Sequence, residues 1–132
     1  MRYTNLGPEN FKVSSIGLGA MGMSDFYPGA NEDQSIATVH RALDLGVNLI
    51  DTGDFYGMGH NEMLLGRALK GRREQAALTV KFGALRDPSM GWLGYEGHAA
   101  HVKTFLTYSL KRLQTDYIDG YFPARTAPIP LE

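Results

Sequence analysis

Apolar residues occur in this chain as short compact runs, separated by longer stretches in which they recur at helical spacing. Ser15-Ile16-Gly17-Leu18-Gly19, Val47-Asn48-Leu49-Ile50-Asp51, Ala77-Leu78-Thr79-Val80-Lys81 and Tyr117-Ile118-Asp119-Gly120-Tyr121 are too short for helices and predict four strands. Between the first two, Asn31-Glu32-Asp33-Gln34 reads as a helix start, with Asn31 as N-cap, Gln34 at the third helical position and acids in the first turn. Ile36, Val39 and Leu43 then share a face, and Gly46 sits where a C-terminal cap belongs. A second helix is led by Asn61-Glu62, gathers Leu64, Leu65, Ala68 and Leu69 on its apolar side, and stops at Gly71. A third starts near His98 and places Val102, Phe105, Leu106, Ser109, Leu110 and Leu113 inward. Ahead of all this, Arg2 to Leu6 and Phe11-Lys12-Val13 flank a Gly/Pro/Asn turn, which predicts a short hairpin. A long loop with Pro88, Gly91, Trp92, Gly94 and Tyr95 is expected before the third helix, and a Pro-rich tail follows the fourth strand.

Strand and helix therefore alternate, which argues for an α/β fold of parallel strands joined by right-handed crossovers. Two architectures use such units. An open doubly wound sheet would be complete at this length, whereas a closed eightfold barrel needs about 250 residues and would be about half present. Both bind ligands at the carboxyl ends of their strands, where Asp51 and Lys81 lie.

Asp51 closes the second strand, Tyr56 returns five residues later, and Lys81 closes the third strand. An aspartate in such a place is often only a turn cap, and Thr52 and Asp54 offer the same local bonding. A lysine at a buried strand end is less easily explained, since its ammonium needs an acid partner. Taken together the three suggest proton transfer. A nearby ammonium favours a phenolate over its ordinary pKa of ~10, which makes tyrosine a usable general acid. Reduction of a carbonyl requires such an acid, and the hydride must then come from a nicotinamide cofactor.

Other signals are weaker. Gly17, Gly19 and Gly22 spell G-x-G-x-x-G, but no helix opens at once and Pro28 breaks the segment. The milder reading is that Gly19-Ala20-Met21 lets backbone come close to a ligand. His98 and His101 stand three apart on the third helix; with no acid or third histidine counted beside them, they read as exposed or capping residues, and no metal site is expected. Phe26, Tyr27, Trp92 and Tyr95 fall in loops at the strand-end side and are candidates for an apolar carbonyl pocket.

Composition narrows the classes. With 43% hydrophobic and 20% charged residues among 132, the chain has what one globular domain needs. Net charge is −1 and no basic stripe exists for a phosphate backbone, so nucleic acid is not an expected partner. No run approaches the ~18 apolar residues of a membrane span. Absence of cysteine and of a signal-type apolar start fits a cytoplasmic protein.

At these residues the chain resembles the aldo/keto reductase family. The likeness runs through Ile16-Gly17-Leu18-Gly19, Ala42 to Asn48, Asp51-Thr52 through Tyr56-Gly57, Asn61-Glu62 with Leu65 to Leu69, Lys81-Phe82-Gly83, Leu110 to Leu113 and Thr115 to Asp119, in the family's order. The resemblance implies a TIM barrel, here residues 1–132 as the N-terminal portion of its domain, with a hairpin closing the bottom. It implies NADPH as cofactor, NADH being an alternative, and a small aldehyde or ketone as substrate. It also implies Tyr56 as proton donor, Lys81 as modulator of its pKa, Asp51 as the partner of Lys81, and Gly19, Ala20, Met21 and Asp51 beside the nicotinamide. The family usually has a catalytic histidine after the fourth strand, and Ala124 stands in its place within Pro123-Ala124-Arg125, as in a bacterial-type subgroup. Water or Arg125 substitutes, substrate choice differs, or turnover is weak. Half a barrel leaves edges unpaired, so a fragment of a longer product is expected in preference to self-association, with negligible reductase activity for the chain alone.

Overall fold

A computed structural model describes residues 1–7, 11–25 and 28–125. Its centre is a four-stranded parallel sheet of β3 (Leu18–Gly19), β4 (Leu49–Gly53), β5 (Ala77–Phe82) and β8 (Gly120–Pro123), paired in that order. Three helices connect these strands: α1 (Glu32–Asp44), α2 (His60–Ala68) and α3 (Ala99–Leu113). A hairpin of β1 (Tyr3–Leu6) and β2 (Phe11–Ser14) precedes them, and a second, β6 (Ala84–Arg86) with β7 (Trp92–Tyr95), stands between β5 and α3.

Strand alternation decides which side chains meet the helices. Ile50, Leu78 and Val80 are buried in one cluster with Val39 and Leu43 of α1, Leu64, Leu65 and Ala68 of α2, and Leu113 of α3. Fully burying each large aliphatic side chain contributes about 1.5–3 kcal/mol, so this layer holds the helices to the sheet. The alternate residues Asp51, Thr79 and Lys81 face away from it.

Local chemistry explains the element ends. Asn31 caps α1 by accepting from the Gln34 amide at 2.9 Å, with Glu32 and Asp33 in the first turn. The first hairpin is tied to the amino end of β4: Asn48 Oδ1 accepts from the Ser14 amide, Asn48 Nδ2 donates to the Lys12 carbonyl, and the Tyr3 hydroxyl donates to the Gly46 carbonyl. That is the end of the sheet opposite Lys81.

Three sequence expectations are corrected. The expected long loop contains the β6–β7 hairpin, with a bulge between Leu85 and Arg86. The fourth strand begins at Gly120 rather than Tyr117, because Asp119 Oδ2 takes the Leu78 amide and the Arg73 guanidinium before the ladder starts. The first strand is only Leu18–Gly19, with Ile16 largely exposed. Phe26, Tyr27 and the Pro-rich residues 126–132 lie outside the described residues.

Candidate active site

In β4 and β5, Asp51 lies opposite Thr79 and Gly53 opposite Lys81. Asp51 and Lys81 are thus diagonal neighbours on one face, the second positioned to reach back to the first. The Lys81 ammonium donates to Asp51 Oδ2, and the Thr79 hydroxyl donates to Asp51 Oδ1 at 2.9 Å. Both carboxylate oxygens are therefore held from the same strand. The Lys81 side chain is 19% exposed and that of Asp51 37%, so the pair is sheltered but open to a small molecule.

Tyr56 comes from the turn Tyr56–Gly59 that follows β4. Gly57 and Met58 adopt left-handed backbone (φ 56° and 49°), which folds the chain back over the strand ends. The Gly57 amide also donates to Asp25 Oδ2 at 3.2 Å. As a result Tyr56 is 6% exposed, its ring centre lies 5.2 Å from Lys81 Nζ, and its edge packs on Phe55. Asp51, Tyr56 and Lys81 are brought together at the carboxyl ends of β4 and β5.

Gly19, Ala20 and Met21 border the same place. Gly19 pairs with Asp51, and the Ala20 amide donates to the Asp51 carbonyl at 2.8 Å. Asn61, wholly buried at the start of α2, fixes this segment: its Nδ2 donates to the Ala20 carbonyl while its Oδ1 accepts from Thr52. A Cβ added at Gly19 would meet nothing within 4 Å, so the backbone there faces open space.

A cavity of about 270 Å³ opens where Met21 approaches Tyr56 and Lys81. Met21, Tyr56 and Lys81 form its floor, Phe55, Trp92 and Tyr95 form an aromatic wall, and Ala124 and Arg125 close the β8 side. Two larger grooves, of about 840 Å³ beside α3 and about 500 Å³ between β3 and α1, contain none of the expected site residues.

Sequence reasoning missed what holds the wall. The Arg86 guanidinium lies over the Trp92 ring at 4.4 Å and pairs with Asp25 at 3.1 Å, both charged side chains being 5% exposed. Trp92 then meets Phe55 edge to face at 5.9 Å. Asp25 therefore joins the Tyr56 turn to the second hairpin, a link across 61 residues for which the sequence carried no signal. The acid beside the histidine pair was also overlooked: Glu96 lies two residues before His98 and contacts both His98 and His101.

Behind the site, on the helix side, lies a second group of ionisable residues. Burial, with the charge of Glu62 adding to it, pushes the Asp54 carboxyl up to about 7, although its Oδ2 accepts from the Gly83 amide. Glu62 is fully buried and ion-pairs with Arg112. Burial and the neighbouring Asp54 and Glu62 charges drive the Tyr121 phenol above its ordinary range. Gly83 is glycine for two reasons: its φ is +82°, and a Cβ would strike the Glu96 carbonyl oxygen.

With this geometry in view, comparison with known proteins gives a consistent answer. Residues 15–129 match the model of the aldo/keto reductase family. Aldo-keto reductase YhdN of Bacillus subtilis is 39% identical over 124 residues, covering 92% of this chain and 37% of YhdN. Among solved structures, aldo-keto reductase AKR11C1 from Bacillus halodurans in its holo form is 38% identical with a TM-score of 0.80, over 92% of this chain and 39% of that one. An aldo-keto reductase from Klebsiella pneumoniae in complex with NADPH is 30% identical with a TM-score of 0.75, over 99% and 42%. The chain spans 37–38% of the length of the curated relatives it matches. It belongs to the aldo/keto reductase family, and its sheet and helices form a partial α/β barrel covering the N-terminal part of the family fold.

Proposed function

We propose that residues 1–132 are the amino-terminal portion of one aldo/keto reductase domain and carry the proton-transfer half of a nicotinamide-dependent carbonyl reductase. The observation that carries this reading is that Lys81, paired with Asp51 and lying by the Tyr56 ring, lines an aromatic-walled cavity together with Tyr56. Tyr56 donates its proton to the carbonyl oxygen of a small aldehyde or ketone. Lys81 stabilises the negative charge left on the phenol, Asp51 fixes the ammonium, and Thr79 fixes Asp51. NADPH or NADH, when bound, supplies the hydride. The open backbone at Gly19, next to Asp51, and the Met21 side chain in the cavity suit a flat ring lying against that edge. The relative solved with NADPH supports the cofactor class.

Ala124 at the cavity edge favours a second reading, in which nucleotide binds and carbonyl turnover is weak. Joining this chain to the carboxy-terminal part of YhdN and assaying an aldehyde panel with NADPH separates the two. The first reading expects carbonyl-dependent cofactor oxidation that Tyr56→Phe lowers at least about 100-fold in kcat, with nucleotide still altering protein fluorescence. Unchanged kcat in Tyr56→Phe refutes it. Nucleotide binding without turnover of any aldehyde supports the second reading. The 132-residue chain alone is expected to show negligible turnover.

A further inference from the structure

We propose that Glu96, His98 and His101 form a binding site for a nitrogen-preferring divalent cation such as Zn²⁺, at the junction of β7 and α3. Among the described residues they are the group of three metal-ligating side chains whose donor atoms lie close together, all within 4.8 Å of one another. Each carboxylate oxygen of Glu96 faces a different imidazole: Oε1 is 2.6 Å from His98 Nδ1, and Oε2 is 3.1 Å from His101 Nδ1.

The positions are fixed from the backbone. The Glu96 amide donates to the Gly83 carbonyl at 2.7 Å, anchoring the acid to the end of β5. The His98 amide donates to Glu96 Oε1, and His98 is the N-cap residue of α3. His101 follows one helical turn later, its amide bonded to the His98 carbonyl. The bond that fixes the start of α3 needs only Glu96 and the His98 amide. It does not require a second imidazole on the other carboxylate oxygen.

Two imidazoles and one carboxylate are a donor set suited to zinc, leaving a fourth position for water. With Zn–ligand bonds of ~2.0–2.1 Å, donors in a tetrahedral site stand roughly 3.3 Å apart. The two Glu96–imidazole separations, 2.6 and 3.1 Å, would widen by a few tenths of an ångström, and the rest, all within 4.8 Å, would close toward that value. Both histidine side chains are more than half exposed, so rotation toward an ion meets little packing resistance. An occupied site would tie the exit of the second hairpin to the first turn of α3. Tyr95, which lines the cavity, is the residue before Glu96, so occupancy would also stiffen that wall.

The test is calorimetric titration of the full chain with Zn²⁺ above the ordinary imidazole pKa of ~6.5, read alongside the imidazole C–H resonances of its four histidines. The expected result is one ion per chain at micromolar affinity, with the His98 and His101 signals shifting and those of His40 and His60 unmoved. Excess Mg²⁺, which seeks oxygen ligands, should not displace it. Removal of an outer-shell partner already weakens metal binding about 10–100-fold, so His101→Ala or Glu96→Gln should weaken it by at least the lower figure. No saturable binding, a shift of His40 or His60 in place of the pair, equal competition by Mg²⁺, or unchanged affinity in Glu96→Gln would overturn the proposal. The resonances are read on the unaltered chain, so a variant that fails to fold does not rescue it.

Discussion

Replacing Asp54 with asparagine should stabilise the fold at neutral pH and remove a pH dependence that wild type carries. Burial raises this carboxyl from 3.8 to about 7. Between those values the folded state holds a proton that the unfolded state has lost, so stability declines as pH rises through that window and the loss is complete above about 7. At ~1.4 kcal/mol per pH unit the displacement corresponds to roughly 4 kcal/mol, an upper bound. Partial exposure of Asp54 reduces the effect to about 1–3 kcal/mol. Asparagine keeps an oxygen to accept from the Gly83 amide and cannot ionise. Urea unfolding of both proteins at about pH 5 and about pH 8 reads the difference, and contributions from histidines and other carboxylates cancel in the comparison. The lower pH lies inside the window, so the variant should already lead by about a third of the full margin there, and by the whole of it at the higher pH. Parallel pH profiles, or a variant less stable at pH ~8, would refute the assignment of a buried, proton-holding Asp54.

Three further outcomes follow from close contacts. Gly66→Ala should destabilise by about 1–3 kcal/mol, measured by thermal unfolding, because a Cβ would lie 2.7 Å from the Arg112 carbonyl oxygen where α2 crosses α3. Gly19→Ala should leave the melting temperature unchanged, since the added Cβ meets nothing within 4 Å, yet weaken nucleotide binding in a fluorescence titration. Asp25→Asn should cost about 3–5 kcal/mol by leaving Arg86 buried without its carboxylate. It should also raise iodide quenching of Trp92, the single tryptophan.

The meeting of Asp51 and Lys81 is legible in the sequence because it depends on strand ends. Once β4 and β5 are parallel neighbours, the positions of Asp51 and Lys81 in their own runs bring them to one face, and no long-range information is required. Tyr56 needed one more fact, a reversal through left-handed Gly57 and Met58, that a chain rich in glycine only hints at. The hairpin of β6 and β7 was obscured because Pro88, Gly91 and Gly94 read as loop punctuation, and its pairing depends on contacts with distant segments. The fourth strand was placed three residues early for a related reason. Tyr117 and Ile118 look like strand residues, but Tyr117 stacks under Arg73 at 3.9 Å and Asp119 is occupied with the Leu78 amide.

The sequence blocks that carry the family likeness coincide with residues given specific structural duties, which is why they outweigh any single motif. Asn61 joins β4 to the turn after β3, Glu62 ties α2 to α3 through Arg112, and Gly66 allows those helices to touch. None of the three contacts substrate in the proposed site. Together they hold α2, the turn carrying Tyr56 and the edge at Gly19 in fixed relation to Asp51 and Lys81. A change at Asn61 should therefore displace Tyr56, the proposed proton donor, relative to Lys81 without altering either side chain. Asn61→Ala removes the acceptor of the buried Thr52 hydroxyl, at about 1–3 kcal/mol, and one of the two donors to the Ala20 carbonyl, which keeps the Met23 amide. In the chimera with YhdN, its kcat should fall further than that of an equally destabilised Leu65→Ala, whose side chain lies in the helix-side core. Equal losses in the two variants would mean that Asn61 contributes stability alone and that the site does not depend on this alignment.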